Sequence, residues 1–102
     1  MTVPIEPFER SLERNEPPSF ATGMLQAIWH GLRGDWAAAH ELAQAQDDRD
    51  GAWVHAWLHR VEGDLGNAEY WYQRAGKQSM QGDTRVEGLQ IARALSRSTG
   101  HG

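Results

Sequence analysis

Residues 58–75 read LHRVEGDLGNAEYWYQRA, and this stretch decides the fold of the chain. It combines the end of one helix, a tight turn at Gly63-Asp64 and a second helix that places Ala68, Tyr72 and Ala75 on one face. Glycine ends a helix because it accepts the left-handed conformation, and aspartate caps the next helix by accepting from its free N–H groups. The stretch therefore predicts a helical hairpin.

The same pattern occurs 29 residues earlier, where residues 29–42 read WHGLRGDWAAAHEL. A shift of 29 residues brings the apolar positions of the two first helices together without a gap. The aligned pairs are Met24 with Trp53, Leu25 with Val54, Ile28 with Trp57, Trp29 with Leu58 and Leu32 with Val61. Since one hairpin cannot bury its apolar face alone, we expect the two hairpins to stack.

At the turn and second helix, this pattern resembles the tetratricopeptide repeat, in which an aromatic residue and then alanine, aromatic and alanine follow a Gly-Asp turn. The matching positions are Gly63-Asp64, Ala68, Tyr72 and Ala75, with Gly34-Asp35-Trp36 and Ala39 in the first unit. The chain departs from the family at Leu65, Gln26 and His55, and its offset is shorter than the ~34 residues of that repeat. The stretch also resembles small bacterial proteins with the same Trp-His, Gly-Asp-Trp and Tyr-Trp-Tyr elements, which implies no activity.

We therefore predict an all-α fold of two stacked tetratricopeptide-like hairpins, a C-terminal capping helix and a short N-terminal helix. The predicted organisation is an arm or short helix in residues 1–18, one helical domain in 19–97 and a flexible tail in 98–102. The predicted helices are 7–14, 20–33, 36–46, 52–62, 65–75 and 84–96. We expect Ser19 and Asp50 to cap two of them, and Thr84 and Glu87 to form a capping box.

Composition excludes several classes of function. The chain has 102 residues, no cysteine, five tryptophans and a net charge of −4 with its basic residues scattered, so disulfides and thiolate chemistry are absent and nucleic acid is not expected as a partner. No segment approaches the ~20 apolar residues of a membrane span. A signal-peptide pattern is also lacking, so we expect a cytoplasmic protein. The tryptophans fall on apolar stripes, which predicts that most of them form core.

Six polar residues on the first helices form a candidate partner surface. The tetratricopeptide resemblance implies that first helices line a concave face, which here would carry Gln26, His30, Arg33, His55, His59 and Glu62. Such a face is suited to a peptide or protein partner, or to an acidic small molecule. The alternative is that these residues are polar only because they face water.

A metal site is the second hypothesis. His55 and His59 are four residues apart, a spacing that lets two imidazoles bind one divalent ion, and His30 is the candidate third ligand from the neighbouring first helix. The sequence His40-Glu41-Leu42-Ala43-Gln44 approaches the His-Glu-x-x-His protease signature but lacks its second histidine. Histidines that only hydrogen-bond the hairpins together are the structural alternative.

The sequence therefore favours a non-enzymatic interaction module that needs no cofactor and binds a protein or peptide partner. The alternative is a small histidine-based metal-binding protein or metal-dependent enzyme. No nucleophile elbow or glycine-rich phosphate loop supports other chemistry. Since two hairpins are fewer than the usual three repeats, the open end of the stack is expected to be covered either by the C-terminal helix or by a second copy that extends the stack as a homodimer.

Overall fold

A computed structural model describes residues 5–21 and 23–99, with side chains described up to Ser96. The chain is all-α, as predicted, and the described part contains no strand. Its helices are α1 (Ile5–Ser11), α2 (Met24–Leu32), α3 (Trp36–Ala45), α4 (Arg49–Glu62), α5 (Leu65–Ala75) and α6 (Thr84–Thr99). The predicted tail begins inside α6, while residues 1–4 and 100–102 lie outside the described residues.

Two helical hairpins form the body of the structure. Helix α2 packs against α3, α4 packs against α5, and the hairpins stack through α3 on α4. Both turns use a glycine at positive φ, 86° at Gly34 and 87° at Gly63. Each is followed by a capping aspartate: Asp35 accepts from the N–H of Ala38, and Asp64 accepts from the N–H of Asn67. The hairpin prediction is confirmed.

Helix α6 covers the first helices of both hairpins. It contacts α2, α4 and α1, and its Ile91, Ala92 and Leu95 join the main core. We expected this helix at the free end of the stack, but it lies across α2 and α4 instead. No helix in the described part of the chain is long and apolar enough to cross a membrane.

Three tryptophan indoles connect separate helices. The Nε1 of Trp29 donates to Ser11 Oγ at 3.1 Å, that of Trp36 to the Leu58 carbonyl at 2.6 Å, and that of Trp57 to the Thr84 carbonyl at 2.7 Å. Trp29 and Trp57 are almost wholly buried, which confirms their assignment to the core. A buried indole contributes a large apolar area and satisfies its N–H through these bonds.

Several helix starts differ from the prediction. Helix α2 begins at Met24 after Gly23, which has a positive φ of 56°, so Ser19 does not cap it. Asp48, rather than Asp50, caps α4 by accepting from the N–H of Gly51 at 2.8 Å. Asp83 caps α6 by accepting from the backbone of Arg85 and Val86, so the predicted Thr84–Glu87 capping box is wrong.

Glu87 lies in the core instead. Its side chain is 1% exposed, and its carboxylate accepts hydrogen bonds from Arg60 and from the hydroxyl of Tyr72. Arg60 also donates to the Gly82 carbonyl at 2.6 Å. Burial and the neighbouring carboxylate raise the pKa of Tyr72, so its hydroxyl stays protonated and donates. This network joins α4, α5 and α6.

Two apolar residues on the apolar stripes of their helices are exposed, one in the repeat and one in α6. Val61 is 40% exposed and Val86 is 52% exposed. Val61 lies in the last turn of α4 and Val86 in the first turn of α6, so each is close to a helix end. Helical periodicity predicts which face is apolar, but it does not show how far along the helix the neighbour extends.

Two glycines provide a matched test of this packing. Gly88 lies on the packed face of α6, and Gly66 lies at an open position of α5. A Cβ added at Gly88 would lie 2.6 Å from the buried Trp57 ring. A Cβ added at Gly66 would meet no atom within 4 Å. We expect Gly88→Ala to destabilise the fold by about 1–3 kcal/mol through overpacking. Gly66→Ala should stabilise by up to about 1 kcal/mol through helix propensity. Urea unfolding measures both; equal effects would contradict the placement of α6.

The buried carboxylate gives a second stability test. Glu87→Gln removes the charge that compensates Arg60, and we expect a loss of about 3 kcal/mol in unfolding free energy. Tyr72→Phe deletes one hydrogen bond and should cost about 1 kcal/mol. The matched control is Glu41→Gln at an exposed site on α3, which should leave the unfolding midpoint unchanged. A Glu87→Gln variant as stable as this control would contradict the network.

Candidate functional site

Three histidines meet where the two hairpins join. His40 on α3 and His55 and His59 on α4 each offer one ring nitrogen, and these three atoms lie within 4.8 Å of one another. His55 is 5% exposed, His59 is 7% exposed and His40 is half-buried. We call His40, His55 and His59 the histidine cluster.

The helix geometry explains why these three meet. Trp36 and His40 are one turn apart on α3, so both point toward α4. The bond from Trp36 to the Leu58 carbonyl fixes α3 against α4 beside His59. His55 and His59 are likewise one turn apart on α4, so the two pairs face each other across the joint.

Two tryptophans flank the cluster. The ring of His40 stacks on Trp36, with ring centroids 4.6 Å apart and planes 14° apart. The ring of His55 stacks on Trp71 of α5 at 3.9 Å and 15°. His55 and His59 are nearly parallel at 4.9 Å, and His40 meets the edge of His55 at 4.5 Å and 87°. The stacks on Trp36 and Trp71 restrict the rotation of the His40 and His55 rings.

Glu62 orients the third imidazole. Its Oε1 lies 2.7 Å from His59 Nδ1, one turn away on α4. When Nδ1 carries the proton and donates to this carboxylate, the lone pair of Nε2 is free to bind a metal. A carboxylate that holds the second nitrogen of a metal-binding histidine in this way fixes the tautomer and raises the basicity of the ligand.

The environment favours the neutral form of His40 and His55. Burial, together with the neighbouring His40 and His59, lowers the pKa of His55 to about 4. Burial and His59 also lower the pKa of His40, partly offset by Glu62. Metals bind the neutral imidazole, so at neutral pH these two side chains have no proton to release before binding.

The donor set fits a transition metal ion. Zinc binds imidazole nitrogen at about 2.0–2.1 Å, which places two nitrogens of a tetrahedral site roughly 3.4 Å apart. The 4.8 Å limit on the cluster exceeds this spacing by about 1.4 Å at most, an adjustment that side-chain rotations provide. Three imidazoles from two packed helices therefore supply three of the four positions of a tetrahedral site.

A second set of possible ligands, His59, Glu62 and Asp64, lies next to the cluster. Glu62 and Asp64 are exposed, and each already has a partner. Asp64 accepts from the backbone N–H of Asn67 at 3.3 Å and from its side-chain amide at 3.0 Å, as the cap of α5. We therefore assign Asp64 to helix capping and Glu62 to the orientation of His59.

A cleft of about 250 Å³ adjoins the histidine cluster. His55 and Trp71 contribute to its wall, together with the end of α3, the start of α4 and Arg74 of α5. The guanidinium of Arg74 lies 5.4 Å from the Trp71 ring centroid. The cleft gives solvent a route to the side of the cluster formed by His55.

The six predicted surface residues do not share one open face. Gln26 and His30 line a groove between α2 and α3, whereas Arg33 donates to the Leu12 carbonyl at 3.0 Å and holds the segment after α1. Only His55, His59 and Glu62 come together, and both histidines are buried. Helix α3 covers this part of α4, so the expected continuous surface is interrupted.

The third member of the cluster is His40, not His30. His30 belongs to neither ligand group found among the described residues, and its ring meets Trp29 edge-on at 5.0 Å. Sequence reasoning treated His40 only as part of an incomplete protease signature. The overlooked signal is its spacing: Trp36, His40 and Ala43 lie at i, i+4 and i+7, on the face that the second helix turns inward.

Comparison of the chain with known protein families, with characterised proteins and with solved structures found no match in any of the three searches.

The low pKa of His55 predicts acid sensitivity of the metal-free protein. Its folded pKa of about 4 lies below the ordinary value of 6.5, so the unfolded state binds the proton more readily between these values. Stability is therefore complete above pH 6.5 and falls as the pH drops toward 4, by roughly 3 kcal/mol at most. Denaturant titrations at pH 7 and 4.5, with chelator, measure this change.

His55→Phe provides the comparison, because it keeps the stack on Trp71 and removes the titrating group. We expect this variant to lose much less stability than the original protein between pH 7 and 4.5. His30→Phe, outside the cluster, should behave like the original protein. An identical pH dependence in all three proteins would show that His55 is not buried in its neutral form.

Proposed function

We propose that this protein binds a divalent transition metal ion of the zinc class through His40, His55 and His59. The observation that carries the proposal is the convergence of three imidazoles, from two helices, with their ligand atoms within 4.8 Å. Imidazole nitrogen suits zinc, copper, nickel and iron, whereas magnesium and calcium require oxygen ligands. Glu62 supplies the carboxylate that holds His59 in the binding tautomer.

The hydrogen-bonding pattern supports a metal over a purely structural role. Histidines that tie two hairpins together do so by donating to or accepting from the opposite helix. In the cluster, the one side-chain hydrogen bond within residues 5–21 and 23–99 joins His59 to Glu62, on the same helix. The rings of His40 and His55 make aromatic contacts, which leaves their in-plane lone pairs available.

Three protein ligands leave one position of a tetrahedral ion for water or for an added ligand. A zinc ion held by the three histidines would act as a Lewis acid and would lower the pKa of a water coordinated to it. The residues of this chain provide the positioning. The two tryptophan stacks fix His40 and His55, the carboxylate of Glu62 orients His59, and the cleft beside His55 provides access.

A peptide groove along the first helices has less support. Helix α6 lies across α2 and α4, and α3 covers His55 and His59. The remaining open part, at Gln26 and His30, belongs to a groove between α2 and α3. The partner face expected from the sequence is therefore reduced to one end of the stack.

Calorimetric titration of chelator-treated protein with zinc tests the proposal. We expect binding of one ion per chain, and loss of this binding in His40→Ala and in His59→Ala. Glu62→Gln keeps the three ligands but weakens the orientation of His59, so its affinity should fall by about 10–100-fold. The same titration with cobalt reports ligand geometry from the visible absorption of the bound ion.

His30→Ala is the matched control, since His30 lies outside the cluster, and its affinity should equal that of the original protein. Circular dichroism of each variant without metal shows whether it is folded. The proposal is wrong if no stoichiometric binding occurs, or if a folded His40→Ala, His59→Ala double variant still binds zinc with the original affinity.

A further inference from the structure

The α3–α4 contact in the middle of the hairpin stack has counterparts at both ends of the stack. Helix α5 carries the positions that correspond to the α3 side, and α2 carries those that correspond to the α4 side. In the middle, Trp36 and His40 of α3 face His55 and His59 of α4. The 29-residue repeat places Leu65 and Glu69 of α5 at the positions of Trp36 and His40. It places Gln26 and His30 of α2 at the positions of His55 and His59.

One surface, which we call the tail, is the part of α5 around Leu65 and Glu69. Leu65 is 65% exposed, although its counterpart Trp36 is half-buried against α4. Leu65 and Glu69 line a hollow of about 190 Å³ together with Met80, which is 37% exposed. The hydroxyl of Ser79 donates to the Glu69 carboxylate and orients it. Helix α5 makes its main helix contacts with α4 alone.

The opposite surface, which we call the head, is a groove of about 410 Å³ between α2 and α3. Gln26 and His30 contribute from α2, while Leu42 and Glu41 contribute from α3. Gln26, His30 and Leu42 are each half-buried, so the groove keeps solvent contact. In the second hairpin, Trp71 occupies the position of Leu42 and stacks on His55.

The acid of the tail complements the two donors of the head, Gln26 and His30, while the head groove also carries the Glu41 carboxylate. His40 reaches both His55 and His59 across the internal joint, with ring centroids 4.5 and 5.6 Å apart. At the corresponding positions of an intermolecular joint, the Glu69 carboxylate would face the Gln26 amide and the His30 imidazole. Both of these groups donate hydrogen bonds to a carboxylate. Leu65 would replace Trp36 as the apolar contact. The Glu69 carboxylate would then meet two donors next to a leucine that the contact covers.

We propose that the tail of one copy docks into the head of a second copy, so that the stack of hairpins continues from chain to chain. Such a contact is head-to-tail, and it leaves a free head and a free tail at the ends of each assembly. One helix-on-helix joint is smaller than a standard interface, so the association is weak and reversible. It is independent of the histidine cluster, which lies inside each chain.

Sedimentation velocity between about 0.01 and 1 mM protein, with chelator present to exclude metal bridges, tests the proposal. We expect the average sedimentation coefficient to rise with concentration. Glu69→Lys places an ammonium opposite the two donors of the head, and His30→Glu places a carboxylate opposite Glu69. Each variant should lower the association constant by about tenfold or more. Glu9→Lys, the same charge change at an exposed site on α1, which packs on α6, is the control for net charge.

Mixing the two variants separates this arrangement from other forms of association. The new lysine in the tail of the Glu69→Lys variant can pair with the new glutamate in the head of the His30→Glu variant. The head of the first variant and the tail of the second keep their original groups. Association should therefore return in the equimolar mixture. Concentration-independent monomers overturn the proposal, and so does association that both variants leave unchanged or that the mixture fails to restore. Zinc binding is measured separately, so its failure would leave this result standing.

Discussion

The contact of α3 with α4 is the constraint on which the rest of the structure depends. The indole of Trp36 donates to the Leu58 carbonyl at 2.6 Å, and His40 lies one turn further along against His55. This joint stacks the two hairpins, which α6 also bridges through α2 and α4, and it brings the three imidazoles together. The fold and the candidate site therefore depend on the same contact. Trp36 contributes its apolar ring to this contact, and the indole N–H is satisfied by its hydrogen bond.

Residue patterns predicted most of the fold because they reflect local physics. The Gly34-Asp35 and Gly63-Asp64 turns follow from glycine at positive φ and aspartate capping, and both are in place. Helix α5 begins and ends as predicted. Glu87 was misassigned because a capping box and a buried acid share the same local sequence. Only the approach of Arg60 and Tyr72 from other helices distinguishes them.

The candidate site was predicted in part for the same reason. His55 and His59 share a helix, so their spacing alone predicts that they meet. The third ligand comes from another helix, and its identity depends on which face of α3 turns toward α4. His30 and His40 both precede α4, but α3 rather than α2 presents its histidine there. The repeat offset predicts that the hairpins stack without fixing this choice, and the tetratricopeptide resemblance stays a prediction.

X-ray absorption at the zinc edge, on protein loaded with one equivalent of zinc, tests the metal centre most directly. The account predicts a first shell of three imidazole nitrogens and one oxygen ligand at about 2.0–2.1 Å, with the outer-shell scattering typical of histidine rings. In the His40→Ala variant, one imidazole should disappear from this shell. A shell of oxygen ligands alone, or an imidazole count unchanged in that variant, would contradict the assignment of the histidine cluster as the metal site.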